Sequence, residues 1–98
     1  KVERVALCSG SGSDDELIAY AKEGKADVYI TGEIKYHHAL ECKAQKLNLI
    51  ELGHYESEHI VAKIFAEVLS KSFDNLEILI SKHSNIFNTA IKKTNKQC

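Results

Sequence analysis

Glycine closes each of the first three β-prone runs of this chain, and that punctuation limits what the chain can fold into. Val2 to Cys8, with Val5, Ala6 and Leu7 in one unbroken apolar stretch, is followed by Ser9-Gly10-Ser11-Gly12; Asp27 to Thr31 runs into Gly32; Asn48 to Leu52 runs into Gly53. Each run has the length and composition of a strand, and each precedes a stretch of helical period. Leu76 to Ile80 reads as a fourth strand. Strands alternating with helices imply βαβ units and right-handed crossovers. The expected fold is α/β: a four-stranded, mostly parallel or mixed sheet with three main helices, its first strand buried on both faces.

Ser13 and Glu16 have capping-box spacing ahead of the first helix, whose inward face reads as Leu17, Tyr20 and Ala21, with Gly24 as its left-handed stop. Tyr36, Leu40, Ala44 and Leu47 recur as one face of a second helix beginning near His37. Ile60, Val61, Ile64, Phe65, Val68 and Leu69 make the amphipathic stripe of a third and longest helix. The α/β domain then occupies residues 1–80. Residues 81–98 form a polar, Lys-rich tail whose apolar cluster, Ile86, Phe87, Ala90 and Ile91, suits docking on a partner or completing the core.

With 98 residues, 44% of them apolar, the chain has material for one core, and compact folding is expected. A net charge of −1 gives no electrostatic case for nucleic acid or membrane as partner. No apolar run approaches a membrane span and no leader opens the chain, so a cytoplasmic protein is expected. The start at Lys1, directly before a strand, reads as a processed product or part of something longer. Cys8, Cys42 and Cys98 form no CxxC and are an odd number, which argues for reduced thiols rather than a disulfide framework or zinc ribbon.

Polar side chains that follow strands of an α/β sheet converge on ligands. After the second strand come Glu33, Tyr36, His37 and His38; after the third come His54, Glu56 and Glu58. His54 and Glu58, four residues apart, share a face if a helix has begun, or flank its first turn if not, and either geometry lets both reach one divalent ion. The competing reading is that Glu56 and Glu58 complement the helix dipole while Ser57 caps. Of the adjacent histidines one faces the site, and His37 is the choice; His38, His59 and His83 read as surface residues. The turn with Gly10 and Gly12 is either an anion cradle or purely structural; it lacks a third glycine or a Gly-Lys-Ser/Thr, and Asp14 and Asp15 would repel phosphate.

Together, Val5-Ala-Leu-Cys-Ser-Gly-Ser-Gly-Ser13, Asp27-Val-Tyr-Ile-Thr-Gly-Glu-Ile-Lys-Tyr-His37 and Gly53-His-Tyr-Glu-Ser-Glu58 resemble the C-terminal half of the GTP cyclohydrolase 1 type 2 homologue family, also called NGG-one-interacting-factor-three-like proteins, over about residues 4 to 80. The resemblance implies one half of a two-lobed, intertwined fold, ring-shaped homo-oligomers, commonly hexamers, and two divalent metals (zinc, iron or manganese) per complete subunit. It maps metal ligands onto His54 and Glu58 and shell positions onto Glu33 and Tyr36. His37 would serve as acid or base. The remaining ligands belong to an N-terminal half of the same protein, so the site is incomplete in this chain alone. The implied activity is metal-dependent hydrolysis of a nucleotide-like small molecule; the alternative is a non-catalytic metal-binding regulatory or interaction module.

Overall fold

A strand is stable only when its backbone groups find partners, and three of the expected four strands find them. The computed structural model describes residues 1–88 and 90. In it β1 (Val5–Cys8) pairs in parallel with β2 (Val28–Thr31), which pairs in parallel with β3 (Asn48–Glu51). The register aligns Cys8, Thr31 and Glu51 at the carboxyl ends of the strands. Helices α1 (Asp15–Glu23) and α2 (Tyr36–Ala44) form the two crossovers. Spatial order follows chain order, β1-β2-β3, so crossovers of one hand place both helices on the same face.

That face carries the core. Ile18 and Ala21 of α1, Tyr29 of β2, Cys42 of α2 and Leu47 are buried together, with Ala6, Cys8, Ala26, Ile34 and Leu49 packed against them. Ile18 is fully enclosed, and its burial stabilises the fold by about 1.5–3 kcal/mol. Two polar side chains in the same region, Ser13 and Thr31, are satisfied: Ser13 pairs with Thr31 and with the Tyr29 hydroxyl, the latter at 2.9 Å. Burial pushes the Tyr29 phenol and the Cys42 thiol above their ordinary pKa values. Cys42 therefore stays a protonated, inert thiol. Near the chain start, the Asp27 carboxylate accepts the Glu3 and Arg4 amides at 2.7 and 2.8 Å, which fixes the entry into β1 and lowers the pKa of Asp27.

Several local expectations are corrected. Asp14, not Ser13, caps α1, accepting from the Leu17 amide at 3.0 Å, because the Ser13 hydroxyl is used in the core. The left-handed residue after α1 is Lys25 (φ 56), while Gly24 keeps helical angles. Ile18, rather than Tyr20, is the inward residue of α1. Of the predicted α2 stripe, Tyr36, Leu40 and Ala44 are exposed while Leu47, just past the helix end, is in the core, and on the helix itself Cys42 is the buried residue.

Larger corrections concern the sheet's second face and the chain after β3. β1 is not covered on both sides: Val5 and Leu7, like Ile50 on β3, lie open on the face without helices. α3 (His54–Glu58) and α4 (Ile60–Ser72) join through His59, which itself has helical angles, so the described residues form three helical segments as expected. The α4 stripe, however, is not in the core. Ile60, Val61, Ile64, Phe65 and Val68 are all exposed, and its substantial neighbour among the described elements is α3. Leu76 to Ile80 forms no strand, and Leu79 is 84% exposed; β propensity without a pairing partner does not make a strand. The radius of gyration, 17.6 Å, exceeds the roughly 13 Å of a compact domain this size, in line with a core built from three strands and two helices only. Ile91 and Cys98 lie outside the described residues.

The division between packed and open surfaces predicts unequal costs. Ile18→Ala should destabilise the chain by about 2–5 kcal/mol, whereas Phe65→Ala should change it by no more than about 0.5 kcal/mol. Urea unfolding checks both; a costlier Phe65→Ala would mean that the α4 stripe is covered in solution.

Candidate functional site

Backbone pairing continues past the strand ends through three glycines. The Gly32 amide donates to Cys8 O at 3.0 Å and the Glu33 amide to Gly10 O at 2.7 Å; on the other side Leu52 donates to Thr31 O at 2.8 Å and Gly53 to Gly32 O at 2.7 Å. Gly10, Gly32 and Gly53 thus lie side by side at the carboxyl edge of the sheet. Each is bare where α3 comes down on it. A Cβ on Gly10 would overlap the Glu58 carboxylate, one on Gly53 would overlap that of Glu56, and one on Gly32 would overlap the Ser57 hydroxyl and lie 2.6 Å from the Gly10 backbone. Gly10 and Gly53 also adopt positive φ, 67° and 106°, which favours glycine independently.

Set on this edge, α3 presents His54 and Glu58 from one face. His54 Nδ1 lies 2.8 Å from Glu33 Oε2, and its Nε2 lies 3.0 Å from Glu58 Oε2. With the Nδ1 proton donated to Glu33, the Nε2 lone pair of a neutral ring would face a carboxylate oxygen, an arrangement that needs a positive centre in between. A second proton supplies one, and the hydrogen bond donated to Glu33, followed by the charges of Glu58 and Glu33, raises the His54 pKa accordingly. A divalent cation is the other solution. Two donors about 2.0–2.2 Å from a common ion lie roughly 3.0–3.5 Å apart at tetrahedral or octahedral angles, so the donor pair fits. A carboxylate on the remote nitrogen is also how metal-binding imidazoles are held in the right tautomer.

The pair opens into a cleft of about 720 Å³ lined by Gly32, Glu33, Glu51, by His54, Tyr55, Glu56 and Glu58 of α3, and by His83 to Phe87. Four glutamates and no lysine or arginine line it, so it favours cations. Among the described residues no group of three or more His, Cys, Asp or Glu side chains is assembled for a metal.

The other expected residues are placed as follows. Glu33 lies at the site. Tyr36 and His37 stand exposed on α2 and do not line the cleft. His38, read as a surface residue, is mostly covered and bonds Asp15 at 2.8 Å. In the Gly10 turn the Gly10 amide is taken, donating to Ser57 Oγ at 3.0 Å, and the Glu58 carboxylate sits beside it, which disfavours an anion there. Gly12 packs against Cys8 Sγ instead.

Sequence reasoning missed the far wall. His59 stacks on Tyr55 at 4.9 Å, the Tyr55 hydroxyl lies 3.2 Å from His83 Nδ1, and Asn85 Nδ2 donates to Glu56 at 2.6 Å. Periodicity carries no signal for these contacts, because His83 and Asn85 return to α3 only through the path of the chain after α4.

The raised pKa of His54 fixes a pH dependence. In the metal-free chain the imidazolium's stabilising contribution is fully present below the unfolded value of about 6.5 and is lost as pH rises through the higher folded pKa. Because the same nitrogen would hold a proton or a cation, cation binding should strengthen as pH rises through that value. Glu33→Gln should lower the His54 midpoint toward the ordinary histidine value in an NMR titration of its ring protons; an unchanged midpoint would disconnect Glu33 from His54.

Known proteins share this chain's sequence and fold. The family model described as Duf34/NIF3 (NGG1p interacting factor 3) matches residues 1–86. A GTP cyclohydrolase 1 type 2 homolog of Campylobacter jejuni is 39% identical over 88 residues, covering 88% of this chain and 33% of that protein. One from Staphylococcus aureus is 37% identical over 89 residues, covering 91% of this chain and 24% of that protein. Among solved structures, the S. aureus hypothetical protein SA1388 matches 74% of this chain and 23% of its own with a TM-score of 0.65 at 36% identity. Reduced HcgD from Methanocaldococcus jannaschii matches 71% and 28%, with a TM-score of 0.61 at 34% identity. The chain spans between about a quarter and a third of the curated relatives' length. By sequence and by fold, it belongs to the DUF34/NIF3 (NGG1p interacting factor 3) family.

Proposed function

We propose that this chain supplies part of a divalent-metal centre, with His54 and Glu58 as ligands, in a metal-dependent hydrolase of nucleotide-like substrates. The observation that carries the reading is the convergence of His54 Nε2 and Glu58 Oε2 while Nδ1 is held by Glu33. A bound divalent metal would lower the pKa of a water and orient it on the substrate. Zinc, manganese and iron all suit this donor set. The residues of this chain hold the donors, keep the imidazole in one tautomer, and surround the site with negative charge. His37 and Tyr36, outside the cleft lining, have no part in the donor set. The nucleotide class rests on the name of the relatives, which are GTP cyclohydrolase 1 type 2 homologs.

Further ligands come, in this reading, from family length that this chain does not span. The open sheet face and the α4 stripe are then covered by that length or by other copies in a homo-oligomeric ring such as a hexamer. No helix among the described residues is long and apolar enough to cross a membrane. Those same open apolar surfaces favour a second reading, a metal-dependent interaction module without turnover, for which chelation should change the mass in solution.

Two ligands leave an ion mostly to water, so calorimetric titration of the 98-residue chain with zinc should show binding weaker than about micromolar, abolished by His54→Ala with the fold intact. Submicromolar stoichiometric binding lost in His54→Ala would show the centre to be complete here. In a protein of full family length, GTP turnover with added zinc, manganese or iron should fall about 10–100-fold or more on Glu58→Gln; equal rates would remove the hydrolase reading.

A further inference from the structure

Ser57 does not point into the donor pair, yet it ties together the parts that shape it. Its hydroxyl accepts the Gly10 amide at 3.0 Å and donates to the His54 carbonyl at 3.0 Å. Among the described residues no other hydrogen bond joins α3 to the end of β1. The Glu58 carboxylate and His54 Nε2 both lie over Gly10: a Cβ there would overlap the former and lie 3.7 Å from the latter. The floor of the site is therefore a left-handed backbone turn, φ 67°, and Ser57 determines where that floor stands relative to the first turn of α3. Gly32 makes room for the clasp, since any side chain there would displace the Ser57 hydroxyl.

We propose that Ser57 is a positioning residue for cation binding at His54 and Glu58, acting by pinning the Gly10 turn beneath the two donors. This rests on the metal-centre reading above and adds to it a residue that touches no ion. Without the hydroxyl the Gly10 amide loses its partner. The turn is then free to relax into the space between the donors and the sheet edge. Outer groups that fix ligands in this way contribute about 10–100-fold to metal affinity.

The test is a zinc titration of the 15N-labelled 98-residue chain, followed by NMR at the His54 ring and the Gly10 amide, for wild type, Ser57→Ala and Ser57→Thr. Ser57→Ala should bind zinc about tenfold or more weakly, with an unchanged melting temperature and faster exchange of the Gly10 amide. Ser57→Thr, which keeps the hydroxyl, should restore both. Equal zinc affinity in Ser57→Ala and wild type would overturn the positioning role. If wild type itself shows no zinc response, two ligands alone are too few to hold the ion, and the clasp is judged by the nuclear Overhauser contact between the Gly10 amide and the His54 ring. Its loss in Ser57→Ala and return in Ser57→Thr supports the role; its persistence in Ser57→Ala overturns it.

Discussion

The close approach of α3 to the carboxyl edge of the sheet depends on backbone where side chains would otherwise be. Sheet pairing normally ends where strands diverge, but here it runs one step further, from Cys8 and Gly10 through Gly32 to Gly53. This works because the three lateral neighbours lack Cβ atoms at the points where Glu58, Ser57 and Glu56 descend. A side chain at Gly32 would meet the Gly10 backbone and the Ser57 hydroxyl, and one at Gly10 or Gly53 would displace the Glu58 or Glu56 carboxylate. The glycines are thus less turn-formers than a seat, and the His54–Glu58 geometry is a consequence of that seat.

Electrostatics at the seat are arranged around a missing positive charge. Glu33 takes one imidazole nitrogen, Glu58 faces the other, and the remaining cleft wall adds Glu51 and Glu56. In the metal-free chain a proton meets the need, which is why His54 titrates high. Proton and cation compete for the same lone pair, so the raised pKa and the suitability for metal have one physical origin.

The rest of the chain is less self-sufficient. α1 and α2 cover one sheet face and form the core, while Val5, Leu7 and Ile50 on the opposite face and most of the α4 stripe stay open. Apolar surface of this extent, on a helix and on a sheet face, is more than a solvated domain usually leaves open. It agrees with a chain that spans a quarter to a third of its relatives.

Much of this was legible in the residues themselves. The runs at Val5–Cys8, Val28–Thr31 and Asn48–Glu51 have strand composition, the glycines mark their ends, and the i,i+4 spacing of His54 and Glu58 puts them on one face, because these are properties of local chemistry and period. Only the tertiary structure decided which apolar stripe is used. Periodicity shows that Tyr36–Leu40 and the α4 residues each form a face, but not whether anything meets it, and here Cys42 is enclosed while Phe65 is exposed. The same limit removed the fourth strand, since Leu76 to Ile80 has the composition and no pairing partner. The partnership of Glu33 with His54 and of Ser57 with Gly10 spans 21 and 47 residues. Contacts so distant in sequence leave no trace in local pattern; they exist because parallel crossovers bring every strand's carboxyl end to one edge.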